Sequence, residues 1–218
     1  MADDTEIRSL TCTTSDGLSL EAELALPGEP AEGHPPVTGS VVLAHPHPLH
    51  GGSMTSLVTG ELFRALPRSG LAALRFNFRG VGASEGEHGH GEAEALDVVA
   101  AIDALAAATP LRPLVVCGWS FGADVSLGVT DERLAGWVVI APPLRFRPAA
   151  DYDVVGHDPR PKLIIVPEHD EFRSPASAAE ATADWVNTTL EVVPGADHFL
   201  VGRTDKAARL VIDFIASL

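Results

Sequence analysis

The sequence predicts an α/β fold: a mostly parallel central sheet led by an N-terminal antiparallel hairpin, with helices on both faces. Three observations carry the prediction. From Ser40 onward, short apolar runs alternate with stretches of helical period. The runs are unbroken, as strands covered on both faces of a parallel sheet require. Before that point apolar and polar residues alternate about a turn, the pattern of a half-covered hairpin.

In chain order, "IRSLTCTT" and "LSLEAELALP" flank the turn "SDG" and give the hairpin. The Pro/Gly segment 28–38 cannot continue a strand and is expected as a loop. Strands are then expected at 40–44, 71–78, 114–118, 137–141, 163–166 and 190–193. The helices between them are expected at about 55–66, 92–108, 121–128, 177–186 and 205–216. In the second of these, "EAEALDVVAAIDALAAA", the first turns are acidic, where the helix dipole favours negative charge.

A chain of 218 residues suits one domain, 1–218, and its 45% hydrophobic content is that of a folded protein rather than a disordered one. Thirty acidic residues against 15 basic ones speak against nucleic acid or an anionic membrane as partner. Cys12 and Cys117 make no disulfide framework and are expected to be reduced, as in the cytoplasm. The opening "MADDTEIRSL" lacks the apolar core of a leader, and no run reaches transmembrane length. The expectation is a cytoplasmic monomer or small homo-oligomer that acts on a small molecule.

Residues 118–122, Gly-Trp-Ser-Phe-Gly, match G-x-S-x-G directly after one apolar run and directly before a helical stretch. That context makes Ser120 a candidate nucleophile. Glycines are needed because side chains at the flanking positions would strike neighbouring elements at so sharp a turn. The helix N-terminus that follows offers free N–H groups where an oxyanion would form. A serine hydroxyl needs a base, and the base an orienting acid. In this arrangement acid and then base follow the serine along the chain. Of His157, His169 and His198, the last lies in "EVVPGADHFLVG", a loop between the last strand and the last helix, and is the preferred base. "KLIIVPEHDEF" offers Glu168 and Asp170 as the acid. Asp170 is preferred for its shorter side chain and deeper place in the loop, with Glu168 as the alternative.

The segment "VVLAHPHPLHGG" sets His45, His47 and His50 behind the first buried strand, and metal binding is the first thought. No carboxylate or cysteine is fixed nearby, so no metal is assigned, although His88 and His90 could approach from another loop. The better reading is that this loop gives the second oxyanion donor. Pro46 and Pro48 lack an N–H, and His47 N–H with Phe121 N–H is the preferred pair. "RFNFRGVGASEG" is a poor dinucleotide fingerprint, since Glu85 stands where the third glycine belongs and the next helix starts late. It reads as a tight glycine loop anchored by Arg79.

With these motifs in place, the chain resembles the α/β-hydrolase superfamily, and most of all the small bacterial serine hydrolases grouped with dienelactone-hydrolase-like proteins. "HPHPLHGGSM", "RFNFRGVGASEG", "GWSFGA", "VPEHDEF" and "GADHF" carry the resemblance. It implies an α/β-hydrolase fold without a large cap, a triad of Ser120, Asp170 and His198, and an oxyanion hole of His47 and Phe121. Dienelactone hydrolases proper use cysteine as nucleophile, so their substrate does not transfer. The expected activity is a serine carboxylesterase acting on small esters or thioesters without metal or organic cofactor. The alternatives are a ligand-sensing protein on the same fold and, behind it, a peptidase or amidase. Only about twenty proline-rich residues separate "VVIAPP" from "KLIIVP", too few for a cap domain. Trp119, Leu144 and Phe146 are candidate apolar walls, though ordinary packing accounts for them equally well.

Overall fold

A computed structural model describes residues 5–28 and 38–218. The loop expected at 28–38 therefore lies, apart from its two ends, outside the described residues. β1 (Glu6–Thr13) and β2 (Ser19–Leu26) form the antiparallel hairpin, with Cys12 opposite Leu20. The chain continues through β3 (Gly39–Ala44), α1 (Leu57–Ala65), β4 (Leu71–Phe76), α2 (Glu94–Ala108), β5 (Leu114–Trp119) and α3 (Phe121–Leu127). It ends with β6 (Leu134–Ile140), α4 (Ala149–His157), β7 (Lys162–Pro167), α5 (Pro175–Ala181), β8 (Thr188–Val193) and α6 (Thr204–Ala216). Among the described residues these strands make one eight-stranded sheet, ordered β1-β2-β4-β3-β5-β6-β7-β8. β2 runs antiparallel to β4, and each pairing from β4 across to β8 is parallel. The carboxyl ends of β3 to β8 thus open on one edge, where parallel α/β sheets bind ligands.

Alternate residues of the parallel strands enter two apolar layers, as the period of two demands. Val42, Val116, Val139 and Ile164 pack under α2, α3, α4 and α5 with Phe121, Ile102 and Ala178. Val41, Val115, Val138 and Ile165 pack on the other face under α1 and α6 with Phe63, Val211 and Ile215. The unbroken apolar runs are the consequence: neither face of β3, β5 or β7 meets water.

Most elements shift by a residue or more from their expected bounds, and for four of them the local reason is plain. The strand expected to reach Phe78 ends at Phe76, because the Phe78 N–H turns to His45 Nε2 at 3.0 Å and the Asn77 N–H to the Glu21 carbonyl. The helix expected from residue 92 begins at Glu94, whose carboxylate folds back onto the Gly89 and Gly91 N–H groups. The helix expected at 55–66 begins at Leu57, after a turn in which the Ser53 N–H donates to Ser56 Oγ. The helix expected at 177–186 starts at Pro175, capped by Ser174, and stops at Ala181, beyond which Asn187 takes a left-handed conformation. A further difference is α4, in the proline-rich stretch for which no helix is expected. Only Val155 and Gly156 of its nine residues are buried, so it carries little apolar periodicity to detect.

Candidate active site

The turn from β5 into α3 is built by close approach. A Cβ on Gly118 would lie 2.2 Å from the Gly122 carbonyl oxygen, and one on Gly122 would lie 2.4 Å from that of Ala44 and 2.5 Å from that of His45. No side chain fits at either position, and their absence lets the β3 loop press against the start of α3. Between them Ser120 takes φ 56° and ψ −118°, a conformation that L-residues adopt only under strain. Its N–H is held by the Ile140 carbonyl of β6 at 2.9 Å.

The strain presents the hydroxyl to an imidazole. Ser120 Oγ lies 2.9 Å from His198 Nε2, and His198 Nδ1 lies 2.8 Å from Asp170 Oδ2. A carboxylate only accepts, so Nδ1 carries the ring proton and Nε2 is left free to accept from the hydroxyl. The other carboxylate oxygen, Asp170 Oδ1, accepts from the Phe172 and Arg173 N–H groups at 2.8 and 3.2 Å. Asp170 is therefore fixed by its own loop before it meets the imidazole. The His198 loop is tied as well, since Trp119 Nε1 donates to the His198 carbonyl at 3.2 Å. Ser120, Asp170 and His198, from the ends of β5, β7 and β8, thus share one hydrogen-bonded chain in an almost closed setting. Glu168 points elsewhere and accepts from the Gly195 N–H at 2.7 Å. His169 is exposed beside Glu168, and His157 lies at the C-terminus of α4.

The histidines after β3 divide by environment. His45 is buried with both nitrogens engaged: Nδ1 donates to the Pro46 carbonyl at 2.7 Å and Nε2 accepts from Phe78. Burial lowers its pKa from 6.5 to about 4, so it is neutral at pH 7 and pins the β3 loop to the β4 loop. His47 caps the short 3₁₀ turn 48–50 by accepting from the Leu49 N–H, and desolvation with neighbouring positive groups lowers its pKa to about 4. Its ring lies 4.9 Å from that of Phe121. The N–H groups of His47 and Phe121 have no hydrogen-bond acceptor among the described residues. His47, His50, His88 and His90 form a chain of ring contacts. Among the described residues no three histidine, cysteine or acidic side chains converge as metal ligands.

The three expected wall residues take three different positions. Trp119 is buried and serves the His198 loop. Leu144, at φ 53°, packs on the core layer beneath α2 and α3. Phe146 faces the site, its ring 5.0 Å from His47 and 5.2 Å from Phe121. Residues without a sequence motif complete the surroundings. The Phe172 ring lies tilted 4.4 Å from the His198 ring, and the exposed Phe199 meets the same ring edge-on at 5.6 Å. Asp124, buried in the first turn of α3, accepts from the N–H groups of Leu144, Arg145 and Phe146 at 2.9, 2.7 and 3.0 Å and so shapes the whole β6 loop. Burial raises its pKa against the pull of those three donors. Arg79 is buried in an ion pair with Asp97, and Asp16 meets it from the hairpin turn, which fixes the glycine loop after β4.

Sheet topology and this serine-centred edge define an α/β serine hydrolase without a lid. Residues 40–158 match the family model described as serine aminopeptidase, S33 (Hydrolase_4), just over half of the chain, and the protein belongs to that family. The match includes Ser120 and ends before Asp170 and His198. A solved α/β serine hydrolase homologue from Coxiella burnetii is 28% identical, with a TM-score of 0.81 over 94% of this chain and 96% of that one. An α/β serine hydrolase without lid from Xanthomonas campestris is also 28% identical, with a TM-score of 0.79 over 97% of this chain and 94% of that one. An uncharacterized protein of Rickettsia prowazekii is 28% identical over 204 residues, 88% of this chain and 84% of the other. Among the described residues no helix is long and apolar enough to cross a membrane, and both cysteines are free and buried.

Proposed function

We propose that residues 1–218 form a single-domain serine hydrolase that cleaves small carboxylic esters or thioesters through an acyl-enzyme on Ser120. The observation that carries this reading is the chain Asp170 Oδ2 to His198 Nδ1 and His198 Nε2 to Ser120 Oγ, at 2.8 and 2.9 Å. His198 takes the hydroxyl proton as Ser120 Oγ attacks the ester carbonyl, and Asp170 stabilises the imidazolium that forms. The developing oxyanion is met by the His47 and Phe121 N–H groups, which have no competing acceptor among the described residues. Collapse expels the alcohol with the proton from His198. Water, deprotonated by the same imidazole, then releases the acid and restores the serine.

Small, uncapped substrates are favoured because the segment between β6 and β7 holds only the nine-residue α4 and no separate domain. Phe146, Phe172 and Phe199 give the opening an apolar rim suited to an acyl or aryl group. A cytoplasmic location belongs to the same reading, supported by the two buried, unpaired thiols.

Steady-state hydrolysis of 4-nitrophenyl acetate and butyrate tests this. The wild type is expected to turn both over, and Ser120→Ala is expected to lose at least about a thousandfold in kcat, as for a missing nucleophile. Absent wild-type turnover, together with tight ester binding by Ser120→Ala, would instead indicate a ligand-sensing protein.

A further inference from the structure

Arg145 stands on the site's rim without the partner that most arginines of this chain possess. Arg75, Arg79, Arg133, Arg147 and Arg160 each pair with a carboxylate. Arg173, one loop away, donates to the Pro143 carbonyl and to Ser177. Among the described residues the exposed Arg145 guanidinium pairs with no carboxylate, although Glu171 and Asp197 lie on the adjoining β7 and β8 loops. It lies instead over two aromatic faces, 5.0 Å from the centre of Phe146 and 5.5 Å from that of Phe172.

Those two rings flank the reacting groups. Phe172 is the ring 4.4 Å from His198, and Phe146 is the ring 5.0 Å from His47. Arg145 therefore spans the opening between the base and the proposed oxyanion loop, one ring removed from each. Its charge also helps hold the His47 imidazole neutral. The backbone beneath it is fixed, since the Arg145 N–H donates to buried Asp124 at 2.7 Å between the matching bonds of Leu144 and Phe146. A guanidinium that rests over aromatic rings and pairs with no carboxylate keeps N–H donors available for a planar anion, which arginine can bind in a two-pronged fashion.

We infer that Arg145 determines specificity: the esters this site takes carry a carboxylate at the end remote from the scissile bond, and Arg145 binds it. The inference deepens the esterase reading above and rests on it. Phe146 and Phe172 hold the apolar spacer between the two ends.

The test compares substrates that differ only in the charge of the remote group. On the acyl side these are 4-nitrophenyl hexanoate, the mono-4-nitrophenyl ester of adipic acid and 4-nitrophenyl 6-aminohexanoate. On the alcohol side they are phenyl acetate and 4-carboxyphenyl acetate. The anionic-to-neutral ratio of kcat/KM is expected to fall at least about fivefold in Arg145→Ala on one side or the other, a modest share of a charge-assisted bond. Arg145→Lys keeps more of the ratio than Ala, and Arg145→Glu turns the acyl-side preference towards the aminohexanoate. A smaller change on both sides, with no inversion in Arg145→Glu, overturns the inference. Arg145 is exposed and its backbone N–H survives every substitution, so these variants are expected to fold; circular dichroism checks that. If the wild type hydrolyses none of these esters, the esterase reading has failed on its own. Calorimetric titration with adipate then decides the inference. Binding to the wild type that is lost in Arg145→Glu upholds it, and no binding overturns it.

Discussion

His45 titrates only by breaking what it holds, which makes it a sensitive probe of the β3 loop. Its Nε2 accepts from the Phe78 N–H, so protonation there would set two donors against each other in a buried place. Burial accordingly lowers its pKa from 6.5 to about 4. For a base whose folded pKa is depressed, the unfolded chain binds the proton more readily. Stability is therefore complete above pH 6.5 and is lost as pH falls towards 4. Integrating between those two values gives a loss of roughly 1 kcal/mol at pH 5.5 and roughly 2 to 3 kcal/mol at pH 4.5, relative to pH 7.5. His45→Gln keeps a donor and an acceptor but cannot titrate. Urea unfolding of wild type and variant at the three pH values isolates the histidine, because the other titrating groups are common to both. Whatever advantage the wild type has at pH 7.5 should shrink by those amounts. A constant difference between the two proteins from pH 7.5 to 4.5 would refute the reasoning.

Gly122→Ala forces a Cβ to within 2.4 Å of the Ala44 carbonyl oxygen and is expected to cost about 3 kcal/mol or more, read from the urea midpoint. Asp170→Asn should reduce kcat/KM for 4-nitrophenyl acetate by about a thousandfold or more, because the imidazole loses its oriented tautomer. Glu168→Gln, at a half-exposed side chain bonded to Gly195, should stay within about threefold on the same assay. Burial pushes both Cys12 and Cys117 thiols up to about 12, so iodoacetamide at pH 8 should leave the folded protein unmodified and alkylate both sites in urea, by intact mass.

Much of this fold is legible because its strands are covered on both faces. β3, β5 and β7 are entirely buried, and an unbroken apolar run reflects that without help from tertiary contacts. α4 escapes because a helix with two buried residues leaves almost no periodic trace. At the site, Ser120 is readable since the glycines that flank it answer to steric contacts that exist only at such a turn. Asp170 could be separated from Glu168 only by length and depth, and the distinction is made in space by which loop N–H groups each carboxylate meets. Phe172, Arg145 and Asp124 had no signal at all. Asp124 acts on backbone amides twenty residues away, and Arg145 and Phe172 meet across two loops whose approach the sheet order decides. The histidines show what residue type alone leaves open. Residue type suggests ligands, whereas burial makes His45 a structural pin whose two nitrogens are already occupied.

The claim on which the rest depends is that the serine is activated by the histidine beside it. Labelling with a neutral fluorophosphonate, followed by peptide mass spectrometry, tests this most directly. A single adduct on Ser120 that is abolished in His198→Ala is the expected result. No adduct, or one that forms equally fast without His198, would contradict it.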